Sequence, residues 1–252
     1  MTTFVCRNTL KSLFYMKKNN TMKILLVAGF AMLSLPTCAQ KHHEFANYKR
    51  YAEKNLMLGK PAKGEKRVVL FGNSITDGWP SARPEFFRDN NLIGRGISGQ
   101  TSYQFLLRFR EDVINLGARI VVINYGTNDI AENTGPYDED ITFGNIKSMV
   151  DIARANKVKV ILASCLPAGG FGWRPSIKDS MAKIRSLNAR VQAYAKAEKI
   201  PYVDYFSAMV SADGKELRPD YANDRPGVHP NVQGYAVMEQ LLLPVHATPS
   251  LS

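Results

Sequence analysis

The chain has 252 residues, of which 45% are hydrophobic, and carries 33 basic and 22 acidic side chains for a net charge of +11. This length suits one α/β domain with a sizeable core. The basic residues form no arginine-rich helix and no repeat of basic and aromatic residues, which argues against nucleic-acid binding.

The first predicted element is a secretory signal peptide over residues 1–39. Lysines precede the apolar run ILLVAGFAML at 24–33, and small residues allow cleavage after Ala39. The run is shorter than the roughly 20 residues that span a bilayer. We therefore expect export to the periplasm or the exterior without stable membrane insertion. A lipid anchor on Cys38 is the alternative, although its preceding residues fit a lipoprotein poorly.

Cleavage would remove five basic residues and no acidic ones, which leaves 213 residues and a net charge of +6. Of the three cysteines only Cys165 would remain. The mature chain then has no intrachain disulfide, so its stability must come from packing. Cys165 follows an apolar run, which is typical of a buried small hydrophobe.

A helical segment is predicted over residues 40–65 and one catalytic domain over 66–245. In that domain, continuous apolar runs of strand length alternate with amphipathic helical patterns. The strands are predicted at residues 67–71, 92–97, 119–124, 158–164 and 201–205. The helices are predicted at residues 103–116, 141–156, 177–199 and 232–243. This alternation predicts an α/β fold: a three-layer α/β/α sandwich around a parallel five-stranded sheet.

Candidate functional residues follow these strands. Ser74 comes after the first strand, Gly96 ends the second, and Asn128 follows the third. Because ligands bind beyond the carboxyl ends of parallel strands, we expect the three to meet at one edge of the sheet. Each also has a structural interpretation: a helix N-cap for Ser74, a turn for Gly96, and a loop residue that bonds its own backbone for Asn128.

His229 is the candidate base. The other three histidines, His42, His43 and His246, lie near the ends of the mature chain outside any pattern. His229 precedes the last predicted helix, so its loop can return to the edge of the sheet. A serine, an amide, a glycine and a histidine together suit a serine esterase.

The segment GNSITDG at residues 72–78 resembles the first block of the GDSL esterases of the SGNH hydrolase superfamily, and Gly96, Asn128 and His229 match the other blocks. The resemblance covers residues 66–239 and implies a flavodoxin-like fold. It also implies that Ser74 is the nucleophile and His229 the base. The oxyanion hole would then comprise the N–H groups of Ser74 and Gly96 and the Asn128 side chain.

The orienting acid departs from the family pattern. The family usually has Asp three residues before the histidine, where this chain has Pro226. Asp224 lies two residues farther back and reaches His229 only if the loop bulges. The alternative is that Arg225 pairs with Asp224 and a backbone carbonyl orients His229.

Three further residues are candidates for substrate binding. Trp79 lies close to Ser74 in sequence, while Trp173 and Arg174 lie in a Gly-rich loop after the fourth strand. Trp173 could stack on a sugar face, and Arg174 could bind an acidic group. The alternative is that both tryptophans are ordinary packing residues.

The sequence therefore predicts an exported serine esterase that removes acyl groups, chiefly acetyl, from carbohydrates. Lysophospholipase or thioesterase activity is one alternative, and a non-catalytic glycan-binding protein on the same fold is another. The chain has no His-Glu-x-x-His motif and no carboxylate cluster at ligand spacing, so we expect neither a metal nor another cofactor.

Overall fold

The computed structural model of the chain describes residues 44–223 and 225–246. The predicted signal peptide, Cys38 and Asp224 lie outside the described residues. Within these ranges, no helix is long and apolar enough to cross a membrane.

The centre of the molecule is a five-stranded sheet with the order β2-β1-β3-β4-β5, and every pair of strands is parallel. The strands are β1 (Val68–Gly72), β2 (Leu92–Gly96), β3 (Ile120–Asn124), β4 (Lys159–Ala163) and β5 (Tyr202–Val203). The predicted parallel five-stranded sheet is confirmed, and its order is that of flavodoxin-like folds.

Nine α-helices of four or more residues lie around this sheet within the described ranges. They are α1 (Lys49–Leu58), α2 (Ser74–Ala82), α3 (Pro84–Asp89), α4 (Ser102–Phe109), α5 (Thr127–Ile130), α6 (Glu139–Ala155), α7 (Ser180–Ala197), α8 (Tyr205–Met209) and α9 (Val232–His246). The predicted helix at 103–116 ends earlier as an α-helix, because a π-helical turn, Arg110–Ile114, continues it.

Both faces of the sheet are buried. On β1, Val69 and Phe71 join an apolar cluster with α4, α6 and α7. The alternate residues Val68 and Leu70 join a second cluster with α2, α3, α8 and α9. Successive strand side chains point to opposite faces, so a strand covered on both sides is apolar at every position. This confirms the predicted α/β/α sandwich.

The N-terminal helix α1 packs beside the carboxyl ends of β1 and β2. The Tyr51 hydroxyl donates to the Gly96 carbonyl, at the end of β2. Asn55 donates to Asp112 at 2.8 Å and accepts from Arg95 at 2.8 Å. These bonds fix α1 against the edge of the sheet where the candidate residues lie.

Candidate active site

Ser74 is the first residue of α2, directly after the turn that ends β1. The N-cap position belongs to Asn73, whose side-chain oxygen accepts from the Ile75 N–H at 3.1 Å. The Ser74 hydroxyl is therefore not the cap, and its Oγ lies 2.9 Å from Nε2 of His229. Gly72 leaves no room for a side chain, since an added Cβ would clash with the Thr76 hydroxyl and lie 3.1 Å from the Asn124 carbonyl oxygen.

His229 lies on a loop that is held by hydrogen bonds on both sides of the histidine. The Asn223 N–H donates to the His229 carbonyl at 2.8 Å, and the Asn223 side chain donates to the Pro230 carbonyl at 2.9 Å. The Asn231 N–H donates to the Tyr221 carbonyl at 2.8 Å. These bonds position the histidine at the start of α9, facing Ser74. The role predicted for Asp224 in this loop stays a prediction.

Asn128 lies on α5 and is buried. One hydrogen of its side-chain amide is used in a 2.9 Å bond to the Gln100 carbonyl. An amide nitrogen has two hydrogens, so one remains for a further acceptor. The side chain is thereby fixed beside the loop that follows β2.

The neighbouring Asp129 fastens α5 to the start of α4. Its carboxylate accepts from the Ser102 N–H at 3.0 Å and from the Ser102 hydroxyl at 2.6 Å. Burial raises the pKa of Asp129 to about 6, while the bonds from Ser102 act in the opposite direction. Asp129 therefore holds the amino end of α4 against α5.

Sequence reasoning missed a buried cation beneath this edge of the sheet. Arg108 is fully buried and donates to the carbonyls of Gly72 at 2.8 Å and Arg95 at 3.0 Å. It also donates to the Gln100 side chain and to Asp112, with which it forms an ion pair at 2.9 Å. One guanidinium thus joins the ends of β1 and β2 to the loop that follows β2. A lone arginine in an amphipathic helix gives no sequence signal for this.

Ser74 and His229 line one cavity of about 490 Å³. Most of its other lining residues are polar, among them Arg50, Asp77, Ser98 and Asn223. In the described part of the chain, no group of three His, Cys, Asp or Glu side chains could hold a metal ion.

The match to known proteins agrees with this arrangement. Residues 70–237 match the GDSL-like lipase/acylhydrolase family. The chain belongs to this family. It is therefore an ester-hydrolysing enzyme of the SGNH type.

Three similar proteins each cover more than half of this chain. A proposed acylhydrolase from Bacteroides fragilis is 60% identical, with a TM-score of 0.79 over 82% of this chain and 98% of its own. A GDSL-like lipase from Bacteroides thetaiotaomicron is 63% identical, with a TM-score of 0.76 over 79% and 96%. The uncharacterized lipoprotein YqeF of Bacillus subtilis is 29% identical over 187 residues, 62% of this chain and 77% of YqeF.

The two glycines of the segment RGISG, at residues 95–99, have different surroundings. Gly96 is the last residue of β2, and an added Cβ would lie 2.6 Å from the Asn73 carbonyl oxygen and 2.5 Å from the Thr76 carbonyl carbon. Gly96 must therefore be glycine for close packing against α2. Gly99 has a φ of 79° and no atom within 4 Å of an added Cβ. Sequence reasoning did not select Gly99, although its place in a Gly-x-x-Gly turn after β2 was visible.

The loop that contains Gly99 is held by two side chains. The Gly99 carbonyl accepts from the Asn133 side chain at 3.0 Å, and the Gln100 carbonyl accepts from the Asn128 side chain. Asn128 and Asn133 therefore bond successive carbonyls of this loop.

The two tryptophans lie in different environments. Trp79 is 3% exposed, stacks between Phe86 and Tyr235, and donates to Glu239 at 3.2 Å. The expectation that Trp79 binds substrate therefore does not fit the structure, because the ring is part of the core. Trp173 is 44% exposed, and its ring centroid lies 6.4 Å from that of His229.

The loop with Trp173 rests on the segment after α5. The Trp173 indole N–H donates to the Asn133 side chain at 2.9 Å, and the Arg174 guanidinium donates to the Glu132 carbonyl at 3.5 Å. The Trp173 ring thus lies beside the histidine of this GDSL-like enzyme. The Arg174 guanidinium bonds a backbone carbonyl instead.

Proposed function

We propose that this GDSL-like enzyme is an exported serine esterase that hydrolyses acetyl esters on carbohydrates by a Ser-His mechanism. The observation that carries the proposal is the 2.9 Å contact between Ser74 Oγ and His229 Nε2 at an open, polar cavity. A serine hydroxyl is a weak nucleophile until an adjacent base accepts its proton.

In the proposed first step, His229 Nε2 takes the Ser74 proton as Oγ attacks the ester carbonyl carbon. The tetrahedral intermediate then collapses, the C–O bond to the sugar breaks, and the sugar oxygen takes the proton from His229. In the second step, His229 accepts a proton from water, whose oxygen attacks the acyl-serine. Collapse releases the acid and returns the proton to Ser74.

The oxyanion would be bound by the Ser74 N–H, by the second hydrogen of the Asn128 amide, and by a main-chain N–H of residues 95–99, at or just after the end of β2. The initial prediction assigned that last donor to Gly96. The contacts favour Gly99, because its peptide adjoins the carbonyl bonded by Asn128, whereas Gly96 packs closely against α2. Donors held rigidly in this way stabilise the transition state without reorganising.

Asp224 is proposed to orient His229 and to stabilise the imidazolium that forms during the reaction. The alternative remains a backbone carbonyl, with Asp224 paired to Arg225.

The lining of the cavity supports a small acyl group on a polar substrate. Arg50, Ser98 and Asn223 offer hydrogen bonds to hydroxyl groups, whereas a long acyl chain needs an apolar groove. Trp173 adds a partly exposed aromatic ring on which a sugar could stack. Export is supported by the signal-like residues 1–39 and by the name of YqeF, a lipoprotein.

The test is the acyl-length dependence of turnover. For 4-nitrophenyl esters from acetyl to dodecanoyl, we expect kcat/KM to be highest for acetyl and to fall as the chain lengthens. Ser74→Ala and His229→Ala should each abolish turnover while the protein stays folded. Ser81→Ala, on the same helix and also at the cavity, is the matched control and should stay active.

A maximum at long acyl chains would contradict the carbohydrate assignment and indicate a lysophospholipase or thioesterase. Full activity of either purified Ser74→Ala or His229→Ala would contradict the mechanism itself. The two results are separable, because the first concerns the alcohol and acyl groups and the second concerns the reacting atoms.

A further inference from the structure

Helix α1 contributes a charged side chain to the catalytic cavity, although it lies outside residues 70–237, which carry the family match. Arg50 lines the same cavity as Ser74 and His229. The bonds from Tyr51 to the end of β2 and from Asn55 to the π-helical turn after α4 hold this helix in place. Arg50 therefore extends from a fixed support toward the reacting groups.

The Arg50 guanidinium is only partly engaged. Its Nη2 donates to Asp77 Oδ1 at 3.0 Å, and its side chain is 44% exposed. Among the described residues, no other hydrogen bond from this guanidinium is found. Since arginine has five N–H donors, most of them remain for a ligand in the cavity.

Asp77 cannot take up these remaining donors, because its carboxylate already has several. Besides Arg50, it accepts from the Ser98 hydroxyl at 2.8 Å and from the Ser98 N–H at 3.3 Å. Three donors share its charge. The pair therefore presents unused donors to the cavity and few unused acceptors, which suits a ligand group that only accepts.

We infer that Arg50 binds a carboxylate on the sugar part of the substrate, so that the enzyme prefers acetylated acidic sugars, of the uronic acid class, to neutral ones. The inference rests on the proposed function. A planar guanidinium can bind a carboxylate through two parallel N–H···O bonds, which gives it an advantage over a lysine. The net charge of +6 expected for residues 40–252 would also favour an anionic substrate.

The experiment compares two acetylated methyl glycosides that differ only at C6, a glucuronoside and a glucoside. For the unmodified enzyme we expect a higher kcat/KM on the glucuronoside. Arg50→Gln should lower the acidic-to-neutral ratio about 10- to 100-fold, the range for a hydrogen-bonded charge pair. Arg50→Lys keeps the charge but cannot form two parallel N–H···O bonds. Its acidic-to-neutral ratio should lie between those of Arg50→Gln and the unmodified enzyme.

Lys49→Gln is the matched control. Lys49 directly precedes Arg50 on α1, is exposed and does not line the cavity. Its replacement by Gln removes the same charge. The acidic-to-neutral ratio of this variant should stay within two-fold of that of the unmodified enzyme. An equal ratio for Arg50→Gln and the unmodified enzyme, or an equal drop in Lys49→Gln, would overturn the inference.

A binding measurement separates this inference from the proposed function. With Ser74→Ala, calorimetry should show tighter binding of the glucuronoside than of the glucoside, and Arg50→Gln added to that variant should remove the difference. Equal affinities in Ser74→Ala would overturn the Arg50 assignment whatever the turnover. If neither glycoside is hydrolysed, the esterase proposal fails on these sugars, and the calorimetry still decides the role of Arg50.

Discussion

The Ser74 hydroxyl oxygen lies 2.9 Å from Nε2 of His229, although the two residues are 155 positions apart in the chain. Ser74 lies at the start of α2, and His229 lies on the loop before α9. The parallel sheet brings them together, because β1 ends just before Ser74 and α9 packs beside α2 on the same face. The contact is of the length needed to pass a proton from a hydroxyl to an imidazole.

Replacement of Asn128 tests the oxyanion hole. Asn128→Ala removes a preorganised donor, so we expect kcat to fall about 100- to 1000-fold while KM changes little. Steady-state kinetics on 4-nitrophenyl acetate check this. Asn133→Ala is a useful comparison, since it removes an amide bonded to the same loop but not proposed to touch the oxyanion. Equal losses in the two variants would mean that Asn128 acts only by holding the loop.

Asp224→Ala tests the third member of the proposed triad. If Asp224 orients His229, kcat should fall by at least about 100-fold. Asp220→Ala is the control, because Asp220 is an exposed acid four residues earlier whose side chain pairs with Arg218 on the surface. A loss of less than a few-fold in Asp224→Ala would show that another group orients the histidine.

The two tryptophans should respond differently to truncation. Trp79→Ala removes a buried ring and should lower the free energy of unfolding by about 3–5 kcal/mol. Trp173→Ala should leave stability nearly unchanged and raise KM for acetylated oligosaccharides about 10-fold. Denaturant unfolding and kinetics on sugar and 4-nitrophenyl esters measure both. A loss of stability in Trp173→Ala, with KM unchanged, would contradict its role as a sugar platform.

The buried carboxyl of Asp129 should make stability depend on pH. Its pKa is raised from 3.8 to about 6 by burial, so the folded state keeps this proton to a higher pH than the unfolded state. The stability contributed by this protonated carboxyl is therefore fully present only below its unfolded pKa of 3.8, and it is lost as pH rises through about 6. A shift of about two pKa units corresponds to about 3 kcal/mol.

Asp129→Asn removes this titration and keeps a side-chain oxygen for Ser102. The difference in unfolding free energy, unmodified protein minus variant, should fall between pH 4 and 7. Chemical unfolding at several pH values measures it. A constant difference would show that Asp129 does not hold its proton in the folded protein.

The fold was predictable because a strand buried on both faces leaves a continuous apolar run. Val68 to Phe71 is such a run, and its residues divide between the two clusters. Ser74 and Asn128 follow β1 and β3, whose carboxyl ends share one edge of the sheet, and His229 contacts Ser74 there. The catalytic roles assigned to these residues stay predictions. Helix ends were less well predicted, since fraying and π-turns depend on local packing.

The missed features depend on tertiary partners. Trp79 is five residues after Ser74, about 140° around the helix, so nearness in sequence places its ring on another face. Arg108 and Arg50 look like ordinary surface charges until the loops they contact are known. Gly99 differs from Gly96 in its backbone angle and neighbours, which a sequence pattern does not specify.

The most direct test of the central claim, that His229 activates Ser74 as a nucleophile, is reaction with a fluorophosphonate followed by peptide mass spectrometry. We predict rapid labelling of one site, Ser74, at one equivalent per chain, slowed at least about 1000-fold in His229→Ala. Ser81→Ala should label at the unmodified rate. Absence of label on Ser74 in the folded enzyme, or equal labelling rates with and without His229, would contradict the account.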